Sequence, residues 1–203
     1  MIAVVDYRMG NLASAAKAVE KAGGEVTVAE KPDDLDGAQG IILPGVGAFG
    51  DGIKNLEQFG FAGPVRDAIS AGTPLLGICI GLELLFEESE EMGTHKGLGI
   101  LPGRVVRFDG SLKVPHIGWN QLHIRRDDPI LDDIPDGSYF YFVHSYYVAP
   151  GDESDELART DYGIHFTSMV GRDNVYGVQF HPEKSQDLGL KILANFVKIC
   201  RGG

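Results

Sequence analysis

The chain has 203 residues, of which 43% are hydrophobic and 23% charged, and carries a net charge of −11; this suits a single domain, 1–203, with a full core. The acidic balance offers no basic face for nucleic acid, and no apolar run reaches the roughly 20 residues that span a membrane. Cys79 and Cys200 lie far apart, with no Cys or His at metal-ligand spacing, so neither a disulfide framework nor a structural metal is expected, and no cofactor is called for.

The first segment, MIAVVDYRMGN, has no basic region and no cleavage site. It reads as a strand over 2–5 rather than a signal peptide, with a reducing cytoplasm as the expected compartment. Asn11 then caps a helix that carries Leu12, Ala15, Ala16 and Val19 on one face. EVTVA (25–29) alternates as a strand does, and GIILPG (40–45) is a strand that ends in a Pro-Gly turn. A helix over 64–71 stops at Gly72. PLLGI (74–78) is a further strand, with Leu82, Leu85 and Phe86 marking a helix after it. Such alternation predicts a mostly parallel sheet with helices on both faces, in which ligands gather at the carboxyl ends of the strands. Beyond Ile100 the pattern changes. VVRFD, NQLHI, SYFYFVHSYYV, HFTSMV and VYGVQF read as strands, with GRDN (171–174) as a hairpin loop. A last helix over 186–200 puts Ile192, Leu193, Phe196, Val197 and Cys200 on one stripe. The fold class is therefore α/β, extended by antiparallel strands and closed by a C-terminal helix.

The chemistry centres on Gly77-Ile-Cys-Ile-Gly81, at a strand-to-helix junction. This is the nucleophile-elbow pattern with Cys79 in place of serine. Glycines allow the sharp bend, and a helix N-terminus favours the thiolate. The next N–H, that of Ile80, is placed to stabilise an oxyanion. A buried cysteine in a tight turn is the alternative reading of the same glycines. A nucleophile needs a base and the base an orienting group. His181 ends a strand-like run, Pro182 stops it, and Glu183 lies two residues on, facing the same way. His144 is a second candidate base. His116 sits in an unusual cluster with Pro115, Gly118 and the single tryptophan, Trp119. His95, His123 and His165 read as surface or structural. Cys200, on an amphipathic stripe, reads as core.

The elbow, the upstream PGVGAF and the distant His-Pro-Glu resemble the class I, triad glutamine amidotransferases. DYxxGN at 6–11, PGVGAFGDG at 44–52, KVPHIGWN at 113–120, FVHSYYV at 142–148 and HPEKS at 181–185 resemble, more narrowly, the glutaminase subunits of imidazole glycerol phosphate synthase in histidine biosynthesis. The resemblance runs the length of the chain and implies a flavodoxin-like amidotransferase fold. It implies a triad of Cys79, His181 and Glu183 that hydrolyses glutamine through a thioester. Oxyanion donors would come from Ile80 and the Val46–Gly47 loop. Gly45, Gly47, Glu83, Glu91, His144, Ser145 and Tyr146 would bind glutamine, with Glu91 a candidate for its ammonium. Asn11, His116, Gly118, Trp119 and Lys184 would face a cyclase subunit, a (β/α)₈ barrel that takes the ammonia; a buried core indole is the equal alternative for Trp119.

Two positions depart from the family pattern. Where it carries glutamine four residues after the nucleophile, this chain has Glu83. A carboxylate accepts hydrogen bonds but donates none unless protonated, and its charge raises a neighbouring thiol pKa. Either glutamine recognition is adjusted or Glu83 carries a proton. Arg8 stands where the family has glycine. Other readings are a glutaminase serving a different synthase, a cysteine hydrolase of the same fold, or an inactive scaffold subunit.

Overall fold

The computed structural model describes residues 1–110 and 112–202. In chain order the elements are β1 (Ile2–Val5), α1 (Leu12–Lys21), β2 (Val26–Ala29), β3 (Gly40–Leu43), α2 (Phe49–Gln58), α3 (Ala62–Ser70), β4 (Leu75–Ile78), α4 (Ile80–Glu83), β5 (Glu88–Ser89), β6 (His95–Lys96) and β7 (Gly103–Arg107). There follow β8 (His116–Ile124), β9 (Ser138–His144), β10 (Tyr146–Pro150), β11 (Glu156–Asp161), β12 (His165–Arg172), β13 (Val175–Val178) and α5 (Gln186–Cys200).

The sheet runs β2-β1-β3-β4-β13-β12-β10-β7-β5-β6. From β2 to β13 the neighbours are parallel. From β13 through β12 and β10 to β7 they are antiparallel. β11 leaves this path to pair with β12 and β8, and β8 pairs with β9 from Leu122↔Ser138 to His116↔His144. The expected alternation of strands and helices therefore builds one half of the molecule, and hairpins build the other.

Both faces of the parallel half are buried, as a strand's period of two allows. Ile2, Val4, Ile42, Leu76 and Ile78 pack against Ala15 and Val19 of α1 and Ile192, Leu193 and Phe196 of α5. Ala3, Val5, Ile41, Leu43 and Leu75 point the other way, onto Phe49, Ile53 and Leu56 of α2 and Val65 of α3. α1 begins where the Asn11 side chain accepts the Ser14 N–H at 3.2 Å, an ordinary N-cap. The GRDN hairpin forms as expected. Asp173 takes φ 51°, and the Asn174 amide donates to the carbonyls of Ile69 (2.9 Å) and Thr73 (2.7 Å), which ties the turn to the end of α3.

Two expectations need correction, and one helix was not expected. SYFYFVHSYYV is not one strand: it breaks at Ser145, where β9 leaves its pairing with β8 and β10 joins β7 in the main sheet. The helix after Cys79 lasts a single turn. The carbonyls of Leu84, Leu85 and Phe86 accept N–H groups from residues 98–101 instead of continuing it. Helix α2 had no sequence signal, because Gly50 and Gly52 weaken its helical propensity. Its first N–H is capped from outside: Phe49 N–H donates to the Glu91 carboxylate at 2.6 Å.

Candidate active site

β3 and β4 are parallel neighbours, with Leu43 opposite Gly77, so their carboxyl ends lie side by side. The chain leaves β4 through Cys79, which holds φ 55° and ψ −112°. Left-handed φ is costly for any residue with a Cβ, so this bend is enforced by its surroundings. The Cys79 N–H donates to Val178 O of β13 at 2.8 Å. Gly81 makes the bend possible by close approach: a Cβ there would overlap the Leu43 carbonyl oxygen, and one at Gly77 would collide with the Gly81 carbonyl. The flanking glycines thus make room for backbone rather than for the sulfur.

Cys79 lines a cavity of about 440 Å³ together with Val46, Gly47, Ile80, Glu83, Glu91, His144, Ser145, Tyr146 and Lys184. Most residues expected to bind substrate or oxyanion therefore meet in one wall. Gly45 does not line it. Gly45 sits at the adjoining small cleft that also holds Asn11, His181 and Glu183, with Val46 and Lys184 common to both spaces. An added Cβ at Gly45 would strike the Tyr7 hydroxyl, which itself donates to Pro44 O at 2.6 Å. Gly47 holds φ 114°, Val46 is 42% exposed, and both line the cavity.

The thiol is buried, and its electrostatics differ from the sequence expectation. Burial pushes its pKa up, the Glu83 charge adds to this, and the Ile80 N–H only partly offsets them. A single-turn helix supplies too small a dipole to reverse that balance. Sγ contacts Val143 O and Gln179 Nε2, each at 4.0 Å. Gln179 escaped the sequence reading; the available signal was a lone amide between buried Val178 and Phe180 in a strand end. Its Nε2 donates to Glu83 Oε1 at 3.0 Å. Glu83 is 2% exposed and its Oε2 has no hydrogen-bond partner. Burial raises its carboxyl to about 8, against the Gln179 hydrogen bond, with Glu91 adding to the rise.

His181 and Glu183 follow β13, the parallel neighbour of β4. The His181 N–H donates to Tyr141 O at 2.9 Å, and Ser185 Oγ donates to His181 O at 2.6 Å, which fixes the backbone. His181 Nδ1 lies 2.8 Å from Glu183 Oε1. A carboxylate only accepts, so Nδ1 carries the proton and Nε2 is left as the basic nitrogen. That Nε2 is buried and makes no hydrogen bond.

His144 and His116 form a second buried pair. His144 Nδ1 lies 2.7 Å from Tyr146 O and must donate to it. Its Nε2 then accepts from His116 Nδ1 at 3.0 Å, and His116 Nε2 accepts from the Asn120 amide at 3.2 Å. Both rings are neutral: burial lowers His144 to about 3 and His116 to about 4. His144 is thus a fixed wall of the cavity with no free basic nitrogen. His116 is 3% exposed, so it is not presented on the surface as the partner-facing expectation required. Trp119 is 45% exposed and Ile117 60%, which removes the alternative of a core indole. Gly118 lies between them with φ 134°. Asn11 and Lys184 are exposed, and Lys184 Nζ sits 6.0 Å over the Tyr141 ring. Arg8 takes φ 64°, a conformation glycine favours, and pairs with Asp6 at 3.0 Å. Cys200 is half-buried against Gly40. Among the described residues no cluster of His, Cys, Asp and Glu could hold a metal ion, and no helix is long and apolar enough to cross a membrane.

Residues 3–200 match the family model of class-I glutamine amidotransferases. The chain is 53% identical over 198 residues to the imidazole glycerol phosphate synthase subunit HisH of Desulfitobacterium hafniense, covering 98% of this chain and 94% of that protein. It is 50% identical over 208 residues to the HisH subunit of Geobacillus thermodenitrificans, covering 100% and 97%. Among solved structures it resembles a glutamine amidotransferase with TM-score 0.79 and 21% identity (100% and 99% covered). It also resembles PurLQS from Thermotoga maritima with TM-score 0.78 and 22% identity (98% and 97% covered).

Proposed function

The chain belongs to the class-I glutamine amidotransferase family, and from that premise we propose that it acts as the glutaminase subunit of an imidazole glycerol phosphate synthase, with Cys79, His181 and Glu183 carrying the reaction. The observation that supports these roles best is that neighbouring parallel strands deliver them: Cys79, bent to φ 55°, follows β4, and the His181–Glu183 pair, 2.8 Å apart, follows β13.

In this reading Cys79 Sγ attacks the side-chain amide carbon of glutamine. The thiol proton passes to His181 Nε2, the nitrogen that Glu183 leaves basic by holding Nδ1–H. The same proton then goes to the departing nitrogen, which leaves as ammonia, and a thioester remains. Water attacks the thioester, His181 takes its proton and returns it to sulfur, and glutamate is released. Each tetrahedral oxyanion needs backbone donors. Ile80 N–H already acts on the sulfur side, and the Val46–Gly47 loop at the cavity mouth is the second source. Loss of one such donor costs about 10²–10³ in rate.

Glu91 lines the cavity while one of its oxygens caps α2. It therefore reaches the substrate ammonium as a fixed charge rather than a mobile one. Exposed Trp119 and Ile117, with Asn11 and Lys184, make the face for the cyclase subunit that receives the ammonia, a (β/α)₈ barrel in this reading. We read the chain as one domain, 1–203, working with free thiols in a reducing cytoplasm.

A raised thiol pKa and an unengaged Nε2 make a slow catalyst of the subunit alone, so the decisive assay is glutamate release from glutamine with and without the cyclase and its ribotide substrate. Release in the full mixture, lost about 10⁴-fold or more in Cys79→Ser, is the expected result. Parent-rate turnover by Cys79→Ser would remove the sulfur from the mechanism. Cleavage of peptides by the chain alone would replace the reading with that of a hydrolase.

A further inference from the structure

Glu83 is a buried acid whose immediate partner is neutral. Gln179, from the strand end after β13, donates its amide to Oε1, and Oε2 lies buried in the cavity wall with no partner. Among the described residues, no cation is hydrogen-bonded or ion-paired to it, although Lys184 lines the same cavity. Cys79 lies one turn back on its own element, its N-cap carbonyl accepting the Glu83 N–H at 3.2 Å. Tyr7, beyond β1, is occupied by Pro44 O. Glu91, from the loop after β5, is itself acidic and adds to the burden on Glu83. His144 and Tyr146 face the cavity from β9 and β10, the first neutral and the second a phenol. His181 and Glu183 lie beyond the thiol, and Lys184 is exposed at the mouth beside Tyr141.

Resting on the glutaminase reading above, we propose that Glu83 binds substrate as a neutral acid, its Oε1 accepting from Gln179 and its Oε2–H donating to an oxygen of the bound glutamine, and that its ionisation shuts the site. A carboxylate here would present bare lone pairs to the substrate oxygen and set a negative charge one helical turn from the sulfur that must itself become negative. The protonated form removes both conflicts and gives the orphaned Oε2 a use. Burial acts in the same direction, with the carboxyl raised to about 8. The rival arrangement is an ionised Glu83 gripping the substrate ammonium, and it predicts the opposite pH dependence.

The test is KM for glutamine between pH 6.5 and 9.5, measured on the assembled synthase with its ribotide. Wild type is expected to hold KM level up to pH about 8 and then lose affinity about tenfold per pH unit. Glu83→Gln, whose amide donates without titrating, loses that rise. Gln179→Leu removes the donor that holds Oε1 and moves the break to higher pH; a break that stays in place overturns the proposal. A KM that falls as pH rises, with Glu83→Gln tenfold or more weaker at pH 7, overturns it in favour of ammonium binding. Infrared difference spectra of the chain alone, wild type against Glu83→Gln, read the proton without turnover. A carboxylic-acid C=O stretch at pH 6.5 supports the neutral acid, and carboxylate bands at that pH overturn it. An acid band with no glutamate released by either variant sinks the glutaminase reading instead, and with it the substrate role given to Glu83.

Discussion

On the parallel side of the sheet, β3 and β4 deliver their part of the site through backbone. Cys79 is bent to φ 55°, and Gly81 is pressed onto the Leu43 carbonyl. The rest of the site rests on side chains held by other side chains: Glu83 of α4 by Gln179 and His181 by Glu183 after β13, and His144 by His116 on antiparallel β9 and β8. The first kind of construction is a matter of space, and a single methyl group defeats it. The second is a matter of satisfied donors and acceptors, and it fails gradually, with a dependence on pH.

The comparison breaks most sharply at Gly81. Gly81→Ala sets a Cβ into the Leu43 carbonyl; the expected loss is about 4 kcal/mol or more, read from the midpoint of urea unfolding. An unchanged midpoint would show that the elbow is not built by close approach. In the second kind of construction, Glu83→Gln is expected to stabilise the protein. The folded pKa of Glu83 is about 8 against 4.5 for the free group, so the folded state binds the proton more tightly. The stability of the wild type therefore falls as pH rises from 4.5 to 8. The gain from Glu83→Gln should grow across that window to about 2–3 kcal/mol near pH 7 and vanish toward pH 4. A gain independent of pH would mean that packing, not charge, is responsible.

A smaller effect is expected at His116. His116→Phe keeps the ring volume but leaves His144 Nε2 without its donor, at a cost of about 1–3 kcal/mol at pH 7. Both histidines have folded pKa values lowered to about 4 and 3. Their contribution is complete above pH 6.5 and is lost as the unfolded chain takes up protons below it. Guanidinium unfolding at pH 7 and pH 5 should show the variant less acid-sensitive than the wild type. Trp119→Ala sharpens the contrast from outside both constructions. At 45% exposure it should change stability by about 0.5 kcal/mol or less, yet weaken calorimetric binding to the cyclase by about tenfold or more. Large destabilisation would place the indole in the fold rather than at a partner's surface.

How much was legible in the sequence follows the same division. The strand–helix alternation of the first eighty residues was readable, because period-two and period-3.6 burial leave local patterns. The Gly-x-Cys-x-Gly spacing marked the elbow, although the glycines serve the backbone and not the sulfur. Helix α2 was hidden by Gly50 and Gly52, and its cap comes from Glu91, 42 residues away. SYFYFVHSYYV looked continuous because its aromatic alternation runs through the break at Ser145, where β9 pairs with β8 and β10 pairs with β7 and β12. The direction of the thiol's pKa also needed three dimensions. A helix start alone argues for a lowered value, but burial and Glu83 win.

By itself the sequence determined which residues can bend, cap, donate and attack, since those are properties of side chains and of local backbone freedom: Cys79 between glycines, Glu183 two places after His181, a carboxyl at position 83. The tertiary structure decided what each of them faces. It buried His116 and left Trp119 at the surface, set Gln179 between the sulfur and the acid, and buried Glu83 with Gln179 as its hydrogen-bond partner. Hydration and pairing are set by neighbours that lie far away along the chain, so a residue's charge state belongs to the fold and not to the letter.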